Sequence, residues 1–473
     1  MLHIPILRNG KTYESMDKVT IVDHASGDPV AQVSMANSGL IVRDVDRMDD
    51  RCLERFSMSE LLGMCRKAAD IYLNEKLPVG DTKQSFDDYI AILSATTGMP
   101  VKHCRTNAQK IHRVLSEIEV VLRGLTRGFD LSILDKGYGE HQGGTLSYFR
   151  EGRIFGAVLP SNSPGVHGLW VPAIALKAPV AIKPGREEPW SPLRIIQSFI
   201  AAGIPEEAFG FYPTDHGGAA ELLRVTDRSM LFGDANTTKR WANDPRVELH
   251  GPGYSKVVFG EDMVDDWENY IDVIATSVAA NGGRSCINAS GVWAPRHGRE
   301  IAQALADRLG KVEAFPASDD RAEVAAFANT AFAARMSEVI DAELRAEGAE
   351  DLTEAVRGAP RLVKQGRCHY LLPTVIHCCN DEHSLANREF LFPYVSVVEC
   401  PQERIISAIG STLVCTALTN DTAFRQKLMA AENIDRLNFG AIPTIQLAWD
   451  QPHEGNLFEH LYRQRAFQVE HAA

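Results

Sequence analysis

The chain has 473 residues, and 49 Lys+Arg against 62 Asp+Glu give a formal net charge of -13. Hydrophobic residues at 45% and charged residues at 23% exclude wholesale disorder, and the length predicts two or three domains. The acidic balance, with no long Lys/Arg run, argues against a nucleic-acid partner, since phosphate binding needs a basic face.

Membrane insertion is not expected either. The most apolar stretch, Leu169 to Ile182, is broken by Pro172, Lys177 and Pro179 and falls short of the ~20 residues of a span. Met1-Leu2-His3-Ile4-Pro5 has no basic segment before a long apolar core, so secretion is not expected. Nine cysteines without a CxxC pair fit reduced thiols in a cytoplasmic protein. Adjacent Cys378-Cys379 is poor spacing for zinc; His369 and His377 flank Cys368 and Cys378, which invites a metal reading, but buried side chains and no metal are expected.

Short strand-like runs open the chain at Lys18 to Val22 and Val30 to Val33. Met58 to Asn74 carries apolar residues at helical spacing. Asp130 to Arg153 turns polar and Gly-rich, with strand-like Leu131 to Leu134 and Thr145 to Phe149, which reads as an extended hairpin arm. From Ile154 the pattern sharpens. Apolar runs at Ile154 to Leu159 and Pro179 to Ile182 stop at Pro160 and Lys183-Pro184. A helix follows, with Ser191 as its N-cap, Pro192 in its first turn and Gly203 as its end. Strand-like Ala208 to Tyr212, a helix near Ala219 to Leu223 and strand-like Ser229 to Phe232 complete the series. This alternation predicts an α/β fold with a parallel sheet, its ligand beyond the carboxyl ends of the strands, where Pro160, Lys183 and Gly233 fall. A second cycle has a helix over Asp262 to Ala280, a glycine-rich turn into Cys286, an Ala-rich helix over Arg321 to Arg335 and a strand over Tyr394 to Val398.

Cys286 is the candidate nucleophile. It follows Gly282-Gly283, which permit tight backbone approach, and Arg284 offers positive charge to a thiolate. Four other segments bear on it: Leu159-Pro160-Ser161-Asn162, Ile182-Lys183-Pro184 and Leu231-Phe232-Gly233-Asp234 end predicted strands, and Arg388-Glu389-Phe390-Leu391-Phe392-Pro393 lies far downstream. Their order and spacing around Asn281-x-Gly-x-x-Cys286 resemble the aldehyde dehydrogenase superfamily, and the resemblance runs over nearly the whole chain.

That resemblance implies a Rossmann-like dinucleotide-binding domain (1–129 and 151–260), a second α/β catalytic domain (261–440) and a β-hairpin oligomerisation arm (130–150 and 441–473). It implies NAD(P)-dependent oxidation of a small-molecule aldehyde to a carboxylic acid, through a thiohemiacetal and a thioacyl-enzyme on Cys286. Asn162 matches the amide that holds the developing oxyanion. Pro160, Ser161, Lys183, Gly233, Asp234 and Glu389 match cofactor-binding positions, and a homodimer or homotetramer is implied. Two rivals stay open: a CoA-acylating aldehyde dehydrogenase or acyl-CoA reductase, with coenzyme A as partner, and a silent dinucleotide-binding relative.

The departures from the pattern are specific. The family's base position falls on Glu248 or on His250, depending on whether Val247-Glu248-Leu249 or Gly251-Pro252-Gly253 sets the register. Arg186 stands where NAD-preferring members often carry glutamate, which suggests that NADP is tolerated or preferred. Phe392 replaces the family's glycine beside Glu389. His167, Trp170 and Tyr254 are candidates for an access tunnel, with core packing an equal explanation.

Overall fold

The structure is a computed structural model that describes residues 1–468. Two seven-stranded sheets form its centre. In the first, Val247–His250, Arg228–Phe232, Phe155–Val158, Val180–Lys183 and Phe209–Phe211 lie side by side in parallel. Ile6–Arg8 and Lys11–Tyr13 extend that edge antiparallel. Every residue of Phe155–Val158 is buried, as expected where helices cover both faces.

The second sheet runs Ala349–Asp351, Thr374–Cys378, Tyr394–Glu399, Ala289–Ala294, Ser255–Phe259, Thr412–Leu418 and Ile434–Phe439, parallel except for the first strand. Ser255–Phe259, expected in the first unit, therefore pairs inside the second, and the division between the sheets precedes Ser255 rather than following 260.

Met58–Asn74 is helical over the predicted span, because Ser57 and Glu60 form a reciprocal capping box and Leu61, Leu62, Cys65, Ala69 and Tyr72 face the core. Elsewhere tertiary partners override local signals. Leu131 to Leu134 is not a strand: Ile133–Lys136 is a helical turn closed by Gly137 at φ 78, with Ile133 and Leu134 buried. The helix expected from Ser191 begins at Trp190, so Ser191 is inside it and not its N-cap; the Ser191 N–H donates to Glu188 Oε1 at 2.8 Å. Asp262 lies outside its expected helix because its carboxylate accepts from Thr419 and Asn420; a 3₁₀ turn Val264–Tyr270 precedes the α-helix Ile271–Ala279. The Ala-rich helix starts only at Thr330, capped by Asn329. Upstream, the amides of Ala326 and Phe327 are taken by the carbonyls of Gly98 and His369, which holds that stretch extended.

The hairpin Tyr138–His141/Gly144–Arg150 is present, and Tyr462–Gln464 adds a third strand to it. The rest of the expected arm departs from it. Ile445 and Leu447 pack with Cys286, and Trp449, His453 and Glu454 line the central cleft, so this stretch is a wall of the site. Residues 469–473 of the expected arm lie outside the described residues. Among the described residues no helix is long and apolar enough to cross a membrane.

Candidate active site

A cleft of about 730 Å³ lies between the carboxyl ends of the first sheet and the Cys286 turn. The turn is built from three consecutive left-handed residues, Asn281 (φ 57), Gly282 (φ 65) and Gly283 (φ 68). Asn281 holds that conformation through its side chain. Its Oδ1 accepts from Asn107 Nδ2 (2.7 Å), and its Nδ2 donates to Ser285 Oγ (2.9 Å) and Ser163 Oγ (3.1 Å), which ties three segments together. Gly253 has no room for a side chain: a Cβ there would stand 2.0 Å from the Cys286 carbonyl oxygen.

Cys286 is partly exposed and lines the cleft. Burial, then the charges of Glu454 and Glu389, push its thiol well above the usual range, so the resting sulfur is protonated at neutral pH. Arg284 does not relieve this. Its buried guanidinium donates to the carbonyls of Ala326 and Thr97 and sits over the Phe327 ring, serving as a brace of the turn. Asn162 Nδ2 donates to the Arg284 carbonyl at 2.8 Å, which leaves its second N–H for the cleft that Asn162 also lines.

Two ionisable residues beside the sulfur come from the C-terminal segment. Ligand atoms of Cys286, His453 and Glu454 all lie within 4.8 Å of one another. His250 Nδ1 donates to Glu454 Oε2 at 2.6 Å, while its Nε2 lies 3.1 Å from Glu248 Oε1, off the line of a hydrogen bond. Gly455, at φ 76, permits this approach, because a Cβ there would stand 2.8 Å from the Glu248 carboxylate. Both sequence candidates for the base position are therefore in the cleft, and Glu454, which meets His250, is the carboxylate grouped with the thiol. Arg436 Nη1 donates to His453 Nδ1 at 2.7 Å, which fixes the proton of the neutral ring on Nε2. Burial, Arg436 and His250 together push the His453 pKa down to about 3.

Burial alone would lower the pKa of His250, but Glu248 and Glu454 outweigh it and raise it from 6.5 to about 9. A folded-state pKa above the unfolded value gives stability that is complete below pH 6.5 and lost as the pH rises through about 9. Thermal unfolding followed across that window is expected to show a loss on the order of 3 kcal/mol. The His250→Gln variant should lack the slope; an equal slope in the variant would place its origin elsewhere.

Of the residues expected to meet a dinucleotide, Pro160, Ser161, Gly233, Asp234 and Glu389 line the cleft. Two are committed otherwise. Asp234 caps a short helix by accepting from the Thr237 N–H at 2.8 Å, so it brings negative charge to the strand end and does not suit a phosphate. Glu389 accepts from the amides of Gly253 and Tyr254, pinning the Gly251 to Tyr254 turn, and burial raises its pKa. Lys183 ends its strand half-buried, its pKa lowered by burial and raised in part by nearby Glu187. Glu187 lines the cleft, its amide donating to Ser161 Oγ at 3.2 Å; Arg186 is exposed. An ammonium beside a carboxylate at a strand end is a donor and acceptor set that ribose hydroxyls fit. His167 and Trp170 are fully buried: His167 Nε2 meets Glu188 Oε2 at 2.6 Å, and the Trp170 indole donates to His167 Nδ1 at 3.3 Å. They belong to the core and not to a tunnel.

Sequence reading missed Arg436, His453 and Glu454. The one available signal was the adjacent His453-Glu454-Gly455 in a polar loop. Cys368–Leu371 and Thr374–Cys378 lie in separate sheets, which parts Cys368 and His369 from His377 and Cys378.

A model of the aldehyde dehydrogenase family matches residues 14–413. The chain is 24% identical over 261 residues to a betaine aldehyde dehydrogenase from Brucella anthropi, spanning 54% of this chain and 51% of that protein. It is 21% identical over 446 residues to a 3-sulfolactaldehyde dehydrogenase from Priestia megaterium, covering 90% and 87% of the two. The fold superposes on the crystal structure of an NAD-dependent aldehyde dehydrogenase from Sinorhizobium meliloti with a TM-score of 0.81 at 18% identity, covering 99% of this chain and 94% of that one.

Proposed function

The chain belongs to the aldehyde dehydrogenase family, and from that premise we propose that it oxidises an aldehyde to a carboxylic acid through Cys286, with NAD or NADP as co-substrate. The observation that carries this reading is the placement of one partly exposed thiol, the Asn162 amide and the Glu454 carboxylate on a single cleft that reaches the strand ends of the first sheet.

Glu454 takes the proton from Cys286 Sγ, and the thiolate attacks the carbonyl carbon. The Asn162 N–H and the Cys286 amide receive the developing negative charge on oxygen, an interaction worth ~3–4 kcal/mol at the transition state. When bound, the nicotinamide supplies the hydride acceptor. Lys183 and Glu187 would hold a ribose, with Ser161 and Gly233 beside the rest of the dinucleotide. Cys286 then carries the acyl group as a thioester; Glu454 passes the thiol proton to solvent through the open cleft and, oriented by His250, accepts a proton from the attacking water, and the acid leaves as the Cys286–acyl bond breaks to regenerate the thiolate. We propose that NAD is used faster than NADP, because Glu187 lines the cleft while Arg186 is exposed, and a carboxylate beside the ribose repels a 2′-phosphate.

The test is an aldehyde panel run with NAD and NADP, with and without coenzyme A. Acid formation without coenzyme A, faster with NAD, is the expected result. Strict dependence on coenzyme A with release of an acyl-CoA would overturn the hydrolytic reading. Cofactor binding without turnover of any aldehyde would overturn oxidation itself.

A further inference from the structure

Lys110 has a place in the cleft that the chemistry above leaves unexplained. It lies on the helix Val101–Ser116, on the face that also presents Asn107 and Val114. Asn107 is bonded to Asn281 of the Cys286 turn, so Lys110 stands about one helical turn farther along the wall that carries the nucleophile. The side chain is half-buried and lines the cleft among Val114, Val121, Leu125, Leu169 and Phe332.

Among the described residues the Lys110 side chain makes no hydrogen bond and no ion pair, and burial alone lowers its pKa. The acids of the cleft are engaged elsewhere. Glu248 and Glu454 face His250, Glu389 accepts two backbone amides, and Glu187 acts on Lys183. A lysine in an apolar wall without a counter-charge is costly, and a pairing anion arriving with a ligand would remove that cost. Arg436 adds another cation to the same cleft, its one side-chain hydrogen bond going to a neutral histidine.

Resting on the reading of this cleft as an aldehyde site, we propose that Lys110 selects aldehydes carrying an anionic group, which it pairs while Cys286 attacks the carbonyl at the other end. A carboxylate, a sulfonate and a phosphate monoester share the required chemistry, and apolar Val114, Val121 and Phe332 would contact the carbon chain between the two ends.

The experiment compares kcat/KM for succinate semialdehyde, sulfoacetaldehyde and glyceraldehyde phosphate with that for butanal, in wild type, Lys110→Met and Lys110→Arg. The wild type is expected to favour at least one anionic aldehyde over butanal by roughly 10–100-fold. The best of the three identifies the anion. In Lys110→Met that ratio should fall toward one, through a rise in KM for the anionic aldehyde with kcat held within about twofold, as loss of ground-state binding requires. Lys110→Arg should keep most of the preference. Oxidation of butanal as efficient as that of every anionic aldehyde, or equal losses for both classes in Lys110→Met, would overturn the inference and leave aldehyde oxidation standing. No turnover of any of the four would instead overturn the oxidation reading on which it rests.

Discussion

Replacing Cys286 with alanine is expected to lower kcat by roughly a thousandfold or more while leaving dinucleotide binding in place. The sulfur is the only thiol lining the cleft among the described residues, and Cys52, Cys65, Cys104, Cys368, Cys378, Cys400 and Cys415 are buried away from it. Alanine removes the nucleophile without touching the strand ends at Pro160, Lys183 and Gly233. Steady-state formation of reduced cofactor, paired with a fluorescence titration of bound cofactor, reads the two effects separately. Mass spectrometry of the wild type quenched during turnover should find the acyl adduct on the Cys286 peptide. Turnover surviving in the alanine variant would refute covalent catalysis at this position.

The second large effect belongs to Glu454. Because burial holds the Cys286 thiol protonated, attack requires a base, and Glu454 has a carboxylate oxygen within 4.8 Å of the sulfur. Glu454→Gln keeps the shape and most of the contact with His250 but cannot accept a proton, so kcat is expected to fall by about 10²–10⁴-fold. Glu248→Gln should cost less, since Glu248 faces His250 at 3.1 Å and His250 in turn meets Glu454, the carboxylate grouped with the sulfur. Pre-steady-state kinetics locate the loss: a slower first turnover marks removal of the thiol proton, and a preserved burst followed by slow steady state marks thioester hydrolysis. A larger loss in Glu248→Gln than in Glu454→Gln would return the base to the first sheet and reduce Glu454 to a structural role.

The alternation of short buried runs with helices was readable because a parallel sheet covered on both faces demands it, and Phe155–Val158, Val180–Lys183 and Arg228–Phe232 fell where the pattern put them. Met58–Asn74 was readable for a similar reason: its stripe and its capping box agree. The failures occurred where a remote partner captured a backbone group. Ala326 and Phe327 lost their helical option to carbonyls of Gly98 and His369, and Asp262 was drawn off its helix by Thr419 and Asn420. No window of local sequence contains those partners.

The site divides along the same line. Asn162 was found only through the family resemblance, whereas Cys286 and the glycines before it could be picked out in the sequence, because a tight turn imposes residue types at fixed short spacings. The surroundings of the sulfur could not. Arg436, His453 and Glu454 arrive on a strand edge and a returning tail, and whether the base position held Glu248 or His250 became a question about a third residue, more than 200 positions away from both. Local sequence pointed to the candidate thiol and to the first parallel sheet whose strand ends face it. The charges that govern its proton depend on burial and through-space distance, and only the packing of the tail against the first sheet decided them.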